Sequence, residues 1–187
     1  GAGCTSSEPH RIKVDQWAGS FEGQALEKLQ IAVEAYLERL KTALAEAEKP
    51  TIALRDEVQP ETAWDDARDG QLRTAIDHLA DGEQAVAELR TLSTDTPYAF
   101  VGLQLHEIVQ SHETPAHREL TDAGLFTGDP VRRHAGFEQA ALHIAQARRM
   151  LGDTLRRYED LKHQQKLDDA TDRLAEMHRL FIENMQS

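Results

Sequence analysis

The chain has 187 residues, with 21 Lys and Arg, 33 Asp and Glu, nine His and one Cys, for a formal net charge of −12. A single cysteine excludes a disulfide framework and any cysteine-based zinc or iron–sulfur centre, and the negative charge argues against nucleic-acid binding and against docking on an anionic membrane. Ala, Leu, Glu, Arg and Lys supply 85 of the 187 residues, close to the share that marks long helices and coiled coils, and no apolar run approaches the roughly 20 residues of a membrane span.

Residues 1–19 read as a disordered or extended N-terminal arm. Gly1 to His10 are small and polar. Ile12 and Val14 alternate with charged residues, which predicts an extended stretch over Arg11–Trp17 packed by Trp17. Ala2-Gly3-Cys4 resembles the end of the lipobox that precedes the acylated cysteine of bacterial lipoproteins, with Thr5–Pro9 as the polar tether. That resemblance implies a lipid attached at Cys4 and an envelope location. The plainer reading, a lone cysteine in a polar terminus, is preferred, because the resemblance covers three residues.

The first long helix is predicted from Phe21 to Lys49. Leu26, Val33, Leu40 and Ala47 recur every seven residues, with Leu29, Tyr36 and Ala43 between them. Leu37 and Leu44 widen this stripe into a bundle-type face. Thr51–Gln59 stays open between a short helix and a connector. A second long helix is expected from Pro60-Glu61 to about Leu92–Asp95, with Glu61, Asp65 and Asp66 suited to its N-terminus. Its stripe is Leu72, Ala75, Leu79, Gly82, Val86 and Leu89. Gly82 there costs helix propensity of about 1 kcal/mol, so its expected use is to let a partner helix come close.

Thr96-Pro97 reads as a cap and first turn for Tyr98–Val109. That segment is apolar nearly all round, which predicts a helix buried at the bundle centre. Thr114-Pro115 repeats the device, with Pro115 breaking the preceding helix and a short one following to Asp122. Gly124 and Gly128 bracket a loop whose Leu125 and Phe126 are expected to tuck against a bundle end.

Asp129-Pro130 opens a final stretch with no further proline. Its stripe of Ala141, Ile144, Arg148, Leu151, Leu155 and Tyr158 is followed by a second one, Leu167, Ala170, Leu174, Met177 and Phe181, out of phase with the first. Tyr158 to Leu167 is nine residues, about 900° and thus half a turn off register. Either the helix turns back at residues 162–166 or it continues and offers its opposite face. Good helix formers across the junction favour continuity. Leu180–Met185 stays helical in pattern almost to the chain end, as in an excised piece of a longer protein.

Histidines are the commonest metal ligands at neutral pH. His106, Glu107, His112, Glu113 and His117 form the densest run here, but His106 and His112, six apart, do not share a helix face, and Pro115 is expected to break the helix between Glu113 and His117. No Glu-x-x-His pair of the di-iron bundle type occurs, and no nucleophile elbow, P-loop or dinucleotide fingerprint appears. Three Arg doublets, at 132–133, 148–149 and 156–157, are expected to pair with the acidic first half of the chain.

These features predict an all-α fold: an elongated antiparallel bundle of three to four long helices with a long C-terminal helix. Residues 20–187 form one domain, of which 167–187 protrude. The expected function is a non-enzymatic scaffold or protein-interaction module without a cofactor. It binds a protein partner or itself through Leu167, Leu174, Met177, Phe181 and Ile182, and neither binds nucleic acid nor inserts in a membrane. The alternative is a bundle protein that holds a metal or small ligand through His106, His112 and His117.

Overall fold

A computed structural model describes the backbone of residues 14–59, 61–126 and 128–185, with side chains from residue 24. Its elements are α1 (Val14–Glu57), α2 (Asp66–Ser93), α3 (Ala99–Ile108), a five-residue π-turn (Val109–Glu113), α4 (Thr114–Leu125) and α5 (Pro130–Met185). The architecture is an all-α bundle with a long C-terminal helix, and no strand occurs among the described residues.

α1 is longer at both ends than the sequence suggested. Residues 14–17, read as extended, are helical, while Cys4 and the rest of 1–13 lie outside the described residues. Pro50 sits inside α1 rather than ending it. An interior proline costs about 3 kcal/mol through its missing N–H and its clash with the preceding turn. Ala47, Leu54 and Val58 are all buried around it, and fully burying Leu and Val contributes about 1.5–3 kcal/mol each, which outweighs the proline. Thr51 also donates its hydroxyl to the Ala47 carbonyl at 2.7 Å.

α2 begins at Asp66, not at Pro60-Glu61. The Asp65 side chain accepts from the Arg68 amide at 2.9 Å and supplies the cap. Every residue of its expected stripe is buried: Leu72, Ala75, Leu79, Gly82, Val86 and Leu89.

The α3 segment does not run through the bundle centre. It buries Val101, Gly102, Leu105 and Ile108, but Leu103 on its other side is 59% exposed. Gly102 permits the close approach there, since a Cβ would come within 2.5 Å of Ser93 Oγ on α2.

Pro115 does not break the helix it follows. α3, the π-turn and α4 run on without interruption from Ala99 to Leu125. The wider turn just before Pro115 relieves the ring's clash with the preceding carbonyl and absorbs its missing donor. Leu125 does not tuck in and is 73% exposed. Phe126 is half-buried under the Arg132 guanidinium, 4.0 Å from its ring centroid.

α5 is continuous through residues 162–166. It runs antiparallel to α1: His134 Nδ1 lies 2.8 Å from the Val58 carbonyl, Arg148 pairs with Glu48, and Lys162 Nζ lies 2.8 Å from Glu34. The core it closes includes Leu40, Leu44, Leu54, Leu79, Leu89, Leu105, Phe137, Ile144 and Tyr158. At the α1–α2 turn, Trp64 stacks on Phe137 with ring centroids 6.0 Å apart. Of the Arg doublets, Arg148 reaches acid on α1, whereas Arg156 pairs with Asp153 of its own helix. Arg133 is buried, donates to the Phe126 carbonyl at 2.8 Å and lies over Trp64.

Candidate functional site

Two places in this fold combine features that packing alone does not require. The first is the distal end of α5. The residues that α5 buries in steps of seven are Phe137, Ile144, Leu151 and Tyr158. Continuing that step gives Gln165, Asp172 and Arg179, which cannot extend an apolar contact. Leu167, Leu174 and Phe181 lie two residues further on, about 200° around a helix of 3.6 residues per turn. The second stripe therefore faces away from the side that α5 turns to its own bundle.

Exposure follows that geometry. Leu167, Leu174 and Met177 are 66–67% exposed, Phe181 61% and Met185 73%, with Leu180 and Ile182 also open. All of residues 166–185 are exposed. A single exposed Leu is ordinary, but here exposed apolar side chains recur along one face of a single helix.

A polar cluster clamps the base of this segment. Glu34 of α1 accepts from Lys162 Nζ and from the Tyr158 hydroxyl at 3.3 Å. The Lys162 ammonium, as hydrogen-bond partner, holds the Glu34 carboxyl below its usual range. Tyr158 is fully buried beside Tyr98, ring centroids 6.0 Å apart, and burial raises its phenol pKa. Beyond Lys162, an open groove lined by Leu26, Gln30 and Gln165 separates α1 from α5.

The second place is Glu113, the last residue of the π-turn. Its side chain is completely buried, and neither carboxyl oxygen has a hydrogen-bond partner. Burial pushes its carboxyl up to about 9, with Glu83 and Asp81 adding to the shift, so it is a neutral acid at pH 7. Gly82 of α2 makes the room: a Cβ at that position would lie 2.0 Å from Glu113 Oε1. Next to it, Thr114 donates its hydroxyl to Glu83 Oε1 at 2.9 Å and His117 Nδ1 lies 3.4 Å from Glu83 Oε2. Asp81 is held by Arg39 of α1, which also reaches Glu88.

Gly82 thus admits a carboxyl side chain rather than the helix backbone that the sequence suggested. Sequence reasoning weighed Glu113 only as a metal-ligand neighbour of His117 and missed its burial, although a signal existed. Val109, Glu113, Ala116, Leu120 and Ala123 step by four and three along one face, and all are buried. An acid on an apolar stripe, opposite a glycine on another, is the pattern that finds it.

The three candidate histidines do not converge. His106 Nε2 lies 3.1 Å from Arg90 Nη1 of α2, His117 turns to Glu83, and His112 packs on His143 of α5 with ring centroids 5.9 Å apart. Burial and the nearby His143 lower the His112 pKa. Among the described residues, no group of three or more His, Cys, Asp or Glu is placed to hold a metal ion. No described helix is long and apolar enough to cross a membrane.

Fold and site together define an all-α helical bundle with a solvent-exposed apolar helix face. No family model, no curated protein and no solved structure matches the chain.

Proposed function

We propose that this protein is a non-enzymatic interaction module whose distal α5 segment, residues 167–185, binds another amphipathic helix. The observation that carries the reading is the half-turn change of face along an unbroken α5, which turns Leu167, Leu174, Met177, Phe181 and Ile182 away from their own bundle. Leu167, Ala170, Leu174, Met177 and Phe181 alternate three and four apart, the spacing of a coiled-coil seam.

A helix of this length gains little stability from propensity alone. It is maintained by burying one face, and the partner must provide the other half of that contact. The bundle end of α5 supplies a rigid base through Tyr158, Lys162 and Glu34. The runner-up, a metal or small-ligand site at His106, His112 and His117, has no comparable support, since those side chains engage three separate neighbours.

The test is small-angle scattering combined with amide hydrogen exchange on the full chain. The expected particle is elongated, with residues 167–185 either unprotected or protected only through association. A compact monomer with those amides strongly protected would overturn the reading, because the stripe would then be covered within one chain.

A further inference from the structure

Resting on that reading of α5, we propose that the helix covering residues 167–185 is the same segment of a second copy, running antiparallel. In an antiparallel seam, positions three and four apart meet in reciprocal layers. With Leu174 opposite the partner copy's Met177, Ala170 falls opposite Phe181, and both layers repeat across the two-fold axis. The smallest stripe residue thus meets the largest, and two side chains of similar volume meet between them. Facing layers that alternate large and small pack to native density. A parallel pairing would instead stack Phe181 on Phe181 and Ala170 on Ala170, crowding one layer and leaving a void in another. An isologous contact of this kind closes as a dimer.

Charge favours the same arrangement. Residues 162–187 carry four basic and five acidic side chains, net −1, which leaves −11 on residues 1–161. Parallel pairing would set those two acidic bodies side by side. Antiparallel pairing about a point between residues 175 and 176 places each Lys162 about 20 Å from the axis at 1.5 Å per residue. The two Lys162 positions are then about 40 Å apart along the helices, while the first part of α1 runs on beside distal α5, on the side away from the stripe. The near-neutral stripe is the surface on which this acidic chain can meet itself without like-charge repulsion.

The experiment measures solution mass by light scattering across a concentration series, on the full chain and three variants. The expected mass is twice the 21.0 kDa of one chain. Ala170→Phe and Phe181→Ala should each weaken the dimer by about tenfold or more, one by overpacking and one by a cavity. The double variant Ala170→Phe with Phe181→Ala exchanges large for small in both Ala170–Phe181 layers and should restore the dimer. Restoration follows from self-pairing and not from an unrelated partner, and a distance measurement decides between the antiparallel and the parallel pair. A spin label at His163→Cys in a Cys4→Ser background should give an intermolecular distance of about 40 Å, against about 10–15 Å for a parallel pair. A monomer at every concentration, with residues 167–185 unprotected, overturns self-pairing but leaves the interaction reading standing. A dimer indifferent to the single variants, or not restored by the double one, overturns it as well. Circular dichroism melting of each variant separates loss of association from loss of the fold.

Discussion

Gly82 of α2 and Glu113 of the π-turn are matched: the carboxyl of one occupies the space that a side chain on the other would need, with a Cβ at 82 falling 2.0 Å from Glu113 Oε1. Ala is better than Gly in a helix interior by about 1 kcal/mol, so propensity alone would favour Gly82→Ala. The overlap decides the other way, and Leu40 Cδ1, 3.2 Å from the added Cβ, crowds the same position. Gly82→Ala should therefore destabilise by about 1–3 kcal/mol, the usual range for overpacking. Urea unfolding measures it, and a stabilised variant would contradict the match.

Glu113 makes stability fall as pH rises. The folded state holds the proton up to about 9, whereas the unfolded chain releases it near 4.5, the ordinary Glu value. Between those limits the native state binds more protons, so unfolding free energy drops by up to about 1.4 kcal/mol per pH unit. The contribution is fully present below about pH 4.5 and is lost as pH rises toward 9. Glu113→Gln keeps the shape without the titration. It should match the parent near pH 4.5 and exceed it by about 3 kcal/mol at pH 7. Chemical denaturation at a series of pH values tests this, and parallel curves for the two proteins would refute it.

Tyr158 separates packing from polar clamping at the base of the exposed segment. Its ring is buried against Tyr98, and its hydroxyl meets Glu34 at 3.3 Å. Tyr158→Ala should cost about 3–5 kcal/mol, as truncation of a buried aromatic does. Tyr158→Phe should cost about 1 kcal/mol, the net worth of one hydrogen bond. Equal losses for the two would mean the hydroxyl, not the ring, anchors α5.

Charges on the outward stripe should spare the fold and abolish association. Leu174→Asp and Phe181→Asp alter side chains that are 66% and 61% exposed. The melting of the bundle in dilute solution should shift by no more than about 0.5 kcal/mol. By contrast, Leu105→Ala in the core should cost about 2–5 kcal/mol. A large loss for the stripe variants in dilute solution would mean that residues 167–185 pack within one chain.

Stoichiometric Zn2+, Ni2+ or Cu2+ should leave the melting temperature unchanged, because His106, His112 and His117 turn to Arg90, His143 and Glu83 rather than to one point. A ligand that binds the native state raises its stability by mass action. A clear metal-dependent rise that vanishes in His112→Ala or His117→Ala would restore the metal reading.

Periodicity carried most of the fold. The seven-residue spacing of Val33 to Ala47, the stripe from Leu72 to Leu89 and the steps from Ala141 to Tyr158 all require helices with one buried face, and an all-α bundle follows from them; Leu26, expected to open the first stripe, is instead 39% exposed on the groove where α1 and α5 part. The half-turn offset between Tyr158 and Leu167 also stands in the sequence, because helical phase is counted in residues. What the sequence misjudged was punctuation. Pro50 and Pro115 look like helix ends locally, yet tertiary burial around Pro50 and a π-turn before Pro115 carry the chain through both. Local propensity is worth about 1–3 kcal/mol, and several buried side chains outweigh it. Glu113 was hidden for a related reason. Its spacing puts it on an apolar stripe, but only the assembled bundle brings Gly82 opposite to it and removes water from its carboxyl. The sequence by itself determined which residues share a face. The tertiary structure decided which faces meet, where a proline is tolerated and which acid is left without a partner, because those depend on contacts between segments far apart in the chain.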